Sequence, residues 1–546
     1  MGAKWNNLWP APLPLYIPGQ DMSKMLKSSG GIGAATLASR VLGLVREQFF
    51  AALMGTTPIA GAFQLAFMVP NMFRRLLGEG ALTATFIPIF KAKEKTEGEA
   101  AMWHSANAVI SGLLLLATAI VIAVMLAISI VLIVRTWTPD TMLMFQLMRL
   151  MFPFMLMACL GAVFIGILNA RGHFFVPALS AAILNVVLIS AAVLVLALGK
   201  NYDPTLHKQV FILAVAVLGA GVAQAAYQLP ALRREGFRYH WITPWRDPTV
   251  REVAVKMIPG AIGVAAFQIN ITVNQAFAFG ENARIVSEFN YGVRLMELPQ
   301  GVFGLSLATF LLPTLSALAV EKNYGQFRST LRQGVNHIIF INLLASVLLF
   351  SMAAPIIRLL FEHGKFDAHS TERVSFGLMC LVPGLIAFSM VNILARAFYA
   401  LQDILTPMRI SVFCLAANVV LTAAFLFGTN LGPGALGIAN SLSSLCNVGL
   451  LLFALRKKLR TLDMAETAAQ LPRLALAGLL AGLTAWTLRV LWLNHFGHDT
   501  LALKLGEVFL PMTAATVLYF LLALWWKIPS AREIVDFLLA RTGRPL

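Results

Sequence analysis

Charge is scarce in this chain. Asp, Glu, Lys and Arg make up 12% of its 546 residues, about half the roughly 25% of a soluble domain. With a mean hydropathy of +0.77, that scarcity excludes an ordinary soluble globular protein. Acids are scarcer than bases: 25 Asp and Glu stand against 42 Lys and Arg, a net charge of +17. In a soluble protein such an excess would point to nucleic acid. In so apolar a chain it points to basic loops facing anionic lipid, and nucleic-acid binding is not expected. Cysteine is rare too. Cys159, Cys380, Cys414 and Cys446 all lie in apolar stretches and form no CxxC pair, so they read as small hydrophobes and not as a disulfide or metal framework. The nine histidines show no HExxH spacing and no Walker-type loop is present, which argues against a zinc hydrolase and against ATP as the direct energy source. The short alternating segments of a β-barrel are missing as well. Residues 1–25 lack the basic start, apolar run and small-residue cleavage site of a signal peptide. They are expected to be a disordered tail or an effect of start-site choice, since Met22 and Met25 stand just before the first apolar stretch.

What the chain does have is long apolar stretches. Ala108–Val134 carries no charge at all, and roughly 20 apolar residues span a bilayer. The pattern predicts an all-α polytopic membrane protein of about 14 transmembrane helices, at 29–56, 58–90, 105–134, 141–171, 176–199, 209–230, 252–279, 285–319, 333–356, 372–402, 406–428, 433–455, 471–494 and 503–526. The second and eighth are the least regular. Pro70, Gly78, Gly80 and Pro88 interrupt one; Pro299, Gly301, Gly304 and Pro313 interrupt the other. Proline removes a backbone donor, which lipid tolerates only where neighbours or water satisfy the freed groups.

Alternate loops are rich in Lys and Arg: 91–95, 233–256, 322–332 and 456–460. The positive-inside rule puts these, and both termini, in the cytoplasm. The loop with Arg358, Lys365 and Arg373 is the weakest fit. An internal repeat is also visible. Pro153 and Pro177 recur as Pro383 and Pro407, both at an offset of 230; Ala170 and Ala400 share it, and Asn185-Val186-Val187-Leu188 returns as Asn418-Val419-Val420-Leu421 with a three-residue slip. Spans 1–6 and 7–12 therefore read as two copies of one six-helix unit. An even helix number keeps them parallel, as in several transporters. The expected organisation is a tail (1–25), an N-lobe (26–232), a linker (233–251), a C-lobe (252–460) and a pair of appended helices with a C-terminal tail (461–546).

A few charges sit inside the apolar stretches: Arg40, Arg46 and Glu47 in the first, Arg74, Arg75 and Glu79 in the second, Arg294 and Glu297 in the eighth. Arginine at mid-bilayer costs at least ~2.5 kcal/mol, so such residues usually face a wet cavity. The excess of arginine predicts an anionic ligand, held by guanidinium forks that match phosphate or carboxylate. Arg40 and Glu47, seven apart, are expected on one helix face, with Arg46 turned away. Arg75–Glu79 and Arg294–Glu297 have the spacing of internal ion pairs. Arg149, Arg171, Arg396 and Arg489 lie in or near apolar stretches, Arg171 at a helix end where it would snorkel to headgroups. Asn274, Asn418 and Thr422 are expected to bond between helices, with a cation site as the alternative.

These residues resemble a known family. Ser39-Arg40-Val41-Leu42-Gly43-Leu44-Val45-Arg46-Glu47, Pro70-Asn71-Met72-Phe73-Arg74-Arg75 with Gly78-Glu79-Gly80, Arg294-Leu295-Met296-Glu297-Leu298-Pro299 with Gly301-Val302-Phe303-Gly304, and Ala400-Leu401-Gln402-Asp403 with Thr406-Pro407 are similar to motifs of the MurJ (MviN) lipid II flippases of the MOP exporter superfamily. The resemblance covers nearly all of the chain after about residue 26. It implies two six-helix lobes around a central cavity and a lipid-tail groove on the last two helices. It implies flipping of lipid II, undecaprenyl-pyrophosphate carrying a disaccharide-peptide, by alternating access across the bacterial inner membrane. It carries substrate binding onto Arg40, Arg46, Arg74 and Arg294, and leaves Glu47, Glu79 and Glu297 as gating or coupling candidates. Membrane lipids and a cell-wall synthesis complex are the implied partners. No cofactor is implied; a coupling ion or the membrane potential would supply the energy. Two positions depart from the family pattern: Gly61 and Val293 stand where aspartates are common. The alternatives are an exporter of another polyprenyl-linked glycan or of drugs, a membrane enzyme acting on polyprenyl substrates, and a non-transporting scaffold.

Overall fold

The computed structural model describes residues 22–77, 81–198 and 206–541. The described residues form helices joined by short loops. The first half runs α1 (Met22–Met54), α2 (Pro58–Leu77), α3 (Ala81–Glu97), α4 (Glu99–Val134), α5 (Pro139–Met151), α6 (Phe154–Ala170), α7 (Phe175–Leu198) and α8 (Leu206–Ala226). A short α9 (Leu229–Arg234) leads to the second half: α10 (Pro248–Glu281), α11 (Ala283–Pro299), α12 (Ser306–Val320), α13 (Tyr324–Ser351), α14 (Ala353–Phe361), α15 (Ala368–Leu381), α16 (Leu385–Ala400), α17 (Leu405–Gly428) and α18 (Pro433–Leu459). Then follow α19 (Ala465–His495), α20 (Leu501–Trp525) and α21 (Pro529–Arg541).

Each predicted span falls on one of these helices or on two successive ones. Among the described residues nine helices are long and apolar enough to cross a membrane by themselves, or ten with the bent pair α5–α6 taken as one. Four predicted spans lie outside that set: α1, α2–α3, α10 and α11–α12. They carry Arg46 and Glu47, Arg74 and Arg75, Gln268 with Asn270, Asn274 and Gln275, and Arg294 with Glu297. The helix α1 begins at Met22, inside the expected tail; residues 1–21 lie outside the described residues.

The repeat is legible in the packing. In the first half α1 lies on α7, α7 on α8, α2 on α5, α6 on α8, α3 on α4, and α4 on α6. In the second half α10 lies on α17, α17 on α18, α11 on α15, α16 on α18, α12 on α13, and α13 on α16. Every neighbour relation of the first set recurs in the second. The breaks recur too. A bend of 43° around Phe152–Pro153 separates α5 from α6, and a single 3-10 turn at Val382–Gly384 separates α15 from α16. The π-helical turn Gln300–Leu305 separates α11 from α12. Among the described residues the buried apolar side chains form two clusters: one is drawn mostly from residues before 300, the other mostly from residues after 290. The helix α19 packs on α13 and α20, outside the repeat.

The halves meet through α2, which packs on α10 and α11, and through α3 on α10. At the end away from the basic loops this contact is tight. Lys365 N donates to Ala52 O at 2.9 Å, the hydroxyls of Thr56 and Ser370 share a bond of 2.7 Å, and Tyr291 OH donates to Gly55 O at 3.4 Å. Gln275 donates to Asn290 at 3.1 Å and Asn290 to Gln64 at 3.0 Å, a polar chain across the interface. Gly55 takes a left-handed φ of +59° and lies against the Lys365 carbonyl, while Gly61 lies against the carbonyl of Ala283. A side chain at either position would collide with backbone. Where the family often has an aspartate, this chain therefore places a close interhelical contact. Val293, at the second departure, is half-buried and packs on the first of the two apolar clusters.

Candidate functional site

On the basic-loop side of that seal, a cavity of about 580 Å³ lies between the halves, lined by Arg40, Arg46, Arg74, Arg75 and Arg294. The four arginines expected to bind substrate are thus brought to one place. They come from three elements: α1, the last turn of α2, and α11 just before its π-helical break. Asn71, Asn185, Gln224, Gln300 and Asn392 also line the cavity. Among the described residues Glu297 is the one carboxylate in the lining, against five arginines, so the surface they offer to a ligand is strongly cationic.

Each guanidinium is held differently. Arg46 is buried. Its Nη1 donates to Asn185 Oδ1 of α7 at 3.1 Å, its Nη2 pairs with Glu47, and its Cζ lies 5.8 Å from the Phe50 ring centroid. Asn185 is fixed in turn by donating to the Ser39 carbonyl at 3.1 Å. Arg74 donates through Nε to Asn71 at 2.8 Å, one turn back. Arg294 pairs with Glu297 through Nη1 at 2.8 Å, and its Nε lies 3.5 Å from Glu47. Arg40 forms no ion pair among the described residues. Its guanidinium lies against Gly301 in the π-helical turn, where a Cβ would collide with it.

Glu47, expected on the helix face of Arg40 with Arg46 turned away, pairs with Arg46. It is buried between its neighbour Arg46 and Arg294 of the other half, because two long side chains can bridge adjacent helical positions and Arg294 reaches in from α11. The expected Arg294–Glu297 pair is present. Glu79, and with it the Arg75–Glu79 pair, lies outside the described residues.

Other sequence expectations are redirected. Arg171 does not snorkel free: it pairs with Glu94, with Glu99 at 3.3 Å and with Glu235 at 2.7 Å, and Glu235 also meets His173 at 2.7 Å. Those hydrogen bonds from His173 and Arg171 hold the Glu235 carboxyl below its ordinary range. Arg489 lies 3.6 Å from Glu507, a fully buried acid that also holds Arg358 at 2.9 Å. Arg373 is paired at 2.5 Å with another fully buried acid, Glu288. Arg358 and Arg373 made one loop a poor fit to the charge rule. Both are neutralised by acids from distant helices, so that loop presents less free positive charge than its sequence implies. Asn274 donates to Asn418 at 2.6 Å, an interhelical bond as expected. This bond joins α10 to α17 as Asn185 joins α1 to α7, so the repeated asparagines serve equivalent helix pairs. Cys159 and Cys414 are buried and Cys380 is half-buried, while Cys446, beside Cys414, is exposed and not buried as the sequence suggested. Asp403, in the last motif of the resemblance, caps α17: it accepts from Thr406 N at 3.0 Å and from Lys458 at 2.8 Å.

Sequence reasoning missed Asn71, Gln224, Gln300 and Asn392. One polar amide in an apolar helix looks the same whether it faces a cavity or a neighbouring helix. Asn185 carried a signal, since the repeat singled it out.

Two parallel bundles around a cation-lined cavity define a multi-pass membrane transporter. The family model for the lipid II flippase MurJ matches residues 50–506. A probable lipid II flippase MurJ of Vibrio cholerae is 31% identical over 487 residues, covering 86% of this chain and 91% of the relative. A solved lipid II flippase MurJ in an inward closed conformation superposes with a TM-score of 0.72 at 21% identity, over 92% of this chain and 99% of that one. A MATE multidrug transporter of the MOP superfamily, in an inward-facing conformation, shares the fold at a TM-score of 0.64 and 15% identity, over 78% of this chain and 96% of that one. The chain belongs to the lipid II flippase MurJ family, and it is a transporter and not an enzyme.

Proposed function

We propose that this protein flips lipid II from the inner to the outer leaflet of the bacterial inner membrane, with its basic loops and both termini in the cytoplasm. The observation that carries the reading is the convergence of Arg40, Arg46, Arg74 and Arg294 on one cavity between the two halves. A pyrophosphate is the anionic group of such a lipid, and charge-assisted bonds from several guanidinium forks suit it. With the opposite end sealed by the contacts of Gly55, Gly61 and Lys365, the cavity faces the cytoplasm, where the substrate is made.

Glu47 acts as the internal counter-ion of the empty cavity. It spans the halves by holding Arg46 and Arg294 together. A pyrophosphate competes for both arginines, so its arrival rearranges an ion pair that crosses between the lobes. That gives substrate a differential interaction with the two states, which any ligand-driven shift requires. Glu297 supports Arg294 in the same way. The sugar and peptide would meet the amides of Asn71, Asn185, Gln224 and Asn392. The undecaprenyl tail stays apolar, along α19 and α20. A groove of about 550 Å³ beside α19, lined by Val347, Phe350, Met379, Leu479, Leu483 and Trp486, supports such a seat. Residues 26–232 and 252–460 move as the two lobes, joined by 233–251. The membrane potential supplies a bias for return of the empty cationic cavity, since one charge crossing 100 mV is worth ~2.3 kcal/mol. No cofactor is required, and a cell-wall synthesis complex that consumes lipid II is the fitting partner.

The test is complementation in a bacterium depleted of its own lipid II flippase, scoring growth and lipid II accessibility at the outer surface, with membrane insertion of each variant verified. The wild-type chain should rescue, while Arg74→Ala and Arg294→Ala should not. Rescue by both variants would remove the arginine cavity from the mechanism. Failure of the wild type would reassign the substrate to another polyprenyl-linked glycan.

A further inference from the structure

The segment joining the halves carries a surface that the transport cavity does not use. Between α9 and α10 the chain does not hang as a free loop. Residues 235–247 are strapped along the first turns of α4. Asn107 donates to the Arg238 carbonyl at 3.0 Å. Ser111 accepts from Ile242 N at 3.3 Å and shares a bond of 3.2 Å with Tyr239 OH. Asp247 meets His104 at 3.2 Å. Phe237 is buried, with its ring centroid 5.7 Å from that of Trp103 and 6.0 Å from that of Phe164. Gly112 of α4 lies against Pro244 and Val250, where a Cβ would stand 3.2–3.3 Å from them.

The helix α4 serves as a depth gauge. Its exposed apolar residues begin at Leu115 and Leu116 and continue through Ile122, Leu126 and Ile130 to Ile133 and Val134. Leu115 to Val134 is twenty residues, about 30 Å of helix and the thickness of the hydrocarbon core. At its far end Arg135 stacks on Trp137 at 4.8 Å, the aromatic and basic pair of an interface. Ser111 and Asn107 lie one and two turns beyond Leu115 at the other end. The strap bonded to them is therefore held at headgroup depth on the basic-loop side.

What it shows outward is uniform in kind. Trp241 and Trp245 are 56% and 73% exposed. Arg238, Arg246 and Arg251 are exposed and form no ion pair among the described residues. The acids of this region are engaged elsewhere: Glu235 with Arg171, Asp247 with His104, and Glu252 with Lys256 at 2.7 Å. The basic loop at 322–332 is arranged differently: Arg328 pairs with Asp463 at 2.8 Å and Arg332 with Glu466 at 3.0 Å.

We propose that the strap is a binding surface for the headgroups of anionic phospholipids, with Trp241 and Trp245 seated in the interface and Arg238, Arg246 and Arg251 contacting phosphate. The occupant is a lipid surface because depth, exposed indoles and unpaired arginines coincide on one rigid segment. Since this segment joins the two halves, anionic lipid holds the connection between them at the membrane surface.

The test uses the full chain reconstituted in bilayers containing either phosphatidylglycerol or phosphatidylcholine brominated near the head of the acyl chain. Tryptophan quenching is measured in the wild type and in Trp241→Phe/Trp245→Phe, and their difference isolates the two indoles. The anionic lipid should quench that component at least about threefold more than the zwitterionic one at equal mole fraction, and the preference should collapse at high salt. It should also vanish in Arg238→Gln/Arg246→Gln/Arg251→Gln. The salt arm needs no variant, so it stands even where the triple variant does not fold. Equal quenching by both lipids, or a preference that survives salt and the triple variant, would overturn the proposal. So would the absence of quenching by either lipid, which would assign the surface to water or a protein.

Discussion

The contact of Gly61 with Ala283 gives the sharpest test of how the two halves separate. Gly61 lies on α2 of the first half, and the carbonyl of Ala283 opens α11 of the second. A Cβ built at position 61 falls inside the contact distance of that carbonyl oxygen. The obstacle is backbone and cannot rotate away. Gly61→Ala therefore forces the helices apart in the sealed state alone, since the contact crosses the interface that opens. Overpacking of this kind costs about 1–3 kcal/mol. At 1.4 kcal/mol per tenfold, the ratio of open to sealed molecules should rise by roughly 5- to 150-fold. Ser370 reports on this: its hydroxyl is tied to Thr56 across the seal at 2.7 Å and it is buried. In a background with the four native cysteines replaced, Ser370→Cys should react with a membrane-impermeant maleimide from the outer side, faster in the Gly61→Ala variant by a factor in that range. The thermal midpoint should fall little, because the open state remains available. A labelling rate equal to that of the parent would refute the argument, showing that α2 and α11 stay apart or yield without a change of state. Gly61→Asp, which restores the residue common in the family, should behave like the alanine variant or more strongly.

Three further outcomes follow from the same geometry. Gly301→Ala places a methyl group where the Arg40 guanidinium lies; binding of a pyrophosphate lipid should weaken roughly 10- to 150-fold through loss of one charge-assisted contact, worth about 1.5–3 kcal/mol, and an unchanged affinity in a titration would deny Arg40 its place. Glu507→Gln leaves Arg358 and Arg489 without their buried counter-ion and should cost about 3–5 kcal/mol, read as a lowered unfolding midpoint in detergent; a midpoint within a degree of wild type would mean the pair is solvated. The Glu235 carboxyl titrates below its ordinary value because His173 and Arg171 bond to it. Its stabilisation is thus fully present above the usual carboxylate pKa near 4.3 and is lost as the pH falls through the depressed folded value. Arg171→Gln should lower stability at pH 7 and flatten its acid dependence below about pH 4, and a pH profile parallel to wild type would exclude the cluster as its source.

Hydropathy and the loop charges made the all-helical membrane class legible from the sequence. The proline spacing at Pro153, Pro177, Pro383 and Pro407 made the repeat legible, because a helix break is a local backbone event that prolines mark. The cost of arginine in lipid singled out Arg40, Arg46, Arg74, Arg75 and Arg294 before any packing was known, and the motifs of the resemblance carried substrate binding onto Arg40, Arg46, Arg74 and Arg294. Each of these signals depends on one residue and its near neighbours. The departures at Gly61 and Val293 read from sequence as missing acids. Their meaning as contacts required the opposite helix.

The tertiary structure alone decided the pairings. Glu47 takes Arg46 and Arg294 and not Arg40. Arg171 gathers three glutamates from separate elements, and Glu288 and Glu507 silence two arginines that the charge rule counted as free. An ion pair or hydrogen bond between residues more than sixty positions apart is set by the register of whole helices, each placed by the summed packing of its apolar faces. No single side chain carries that register. The sequence by itself determined which residues are too polar to face lipid, because transfer energy is a property of the residue. Only the packed structure decided which of them face one another.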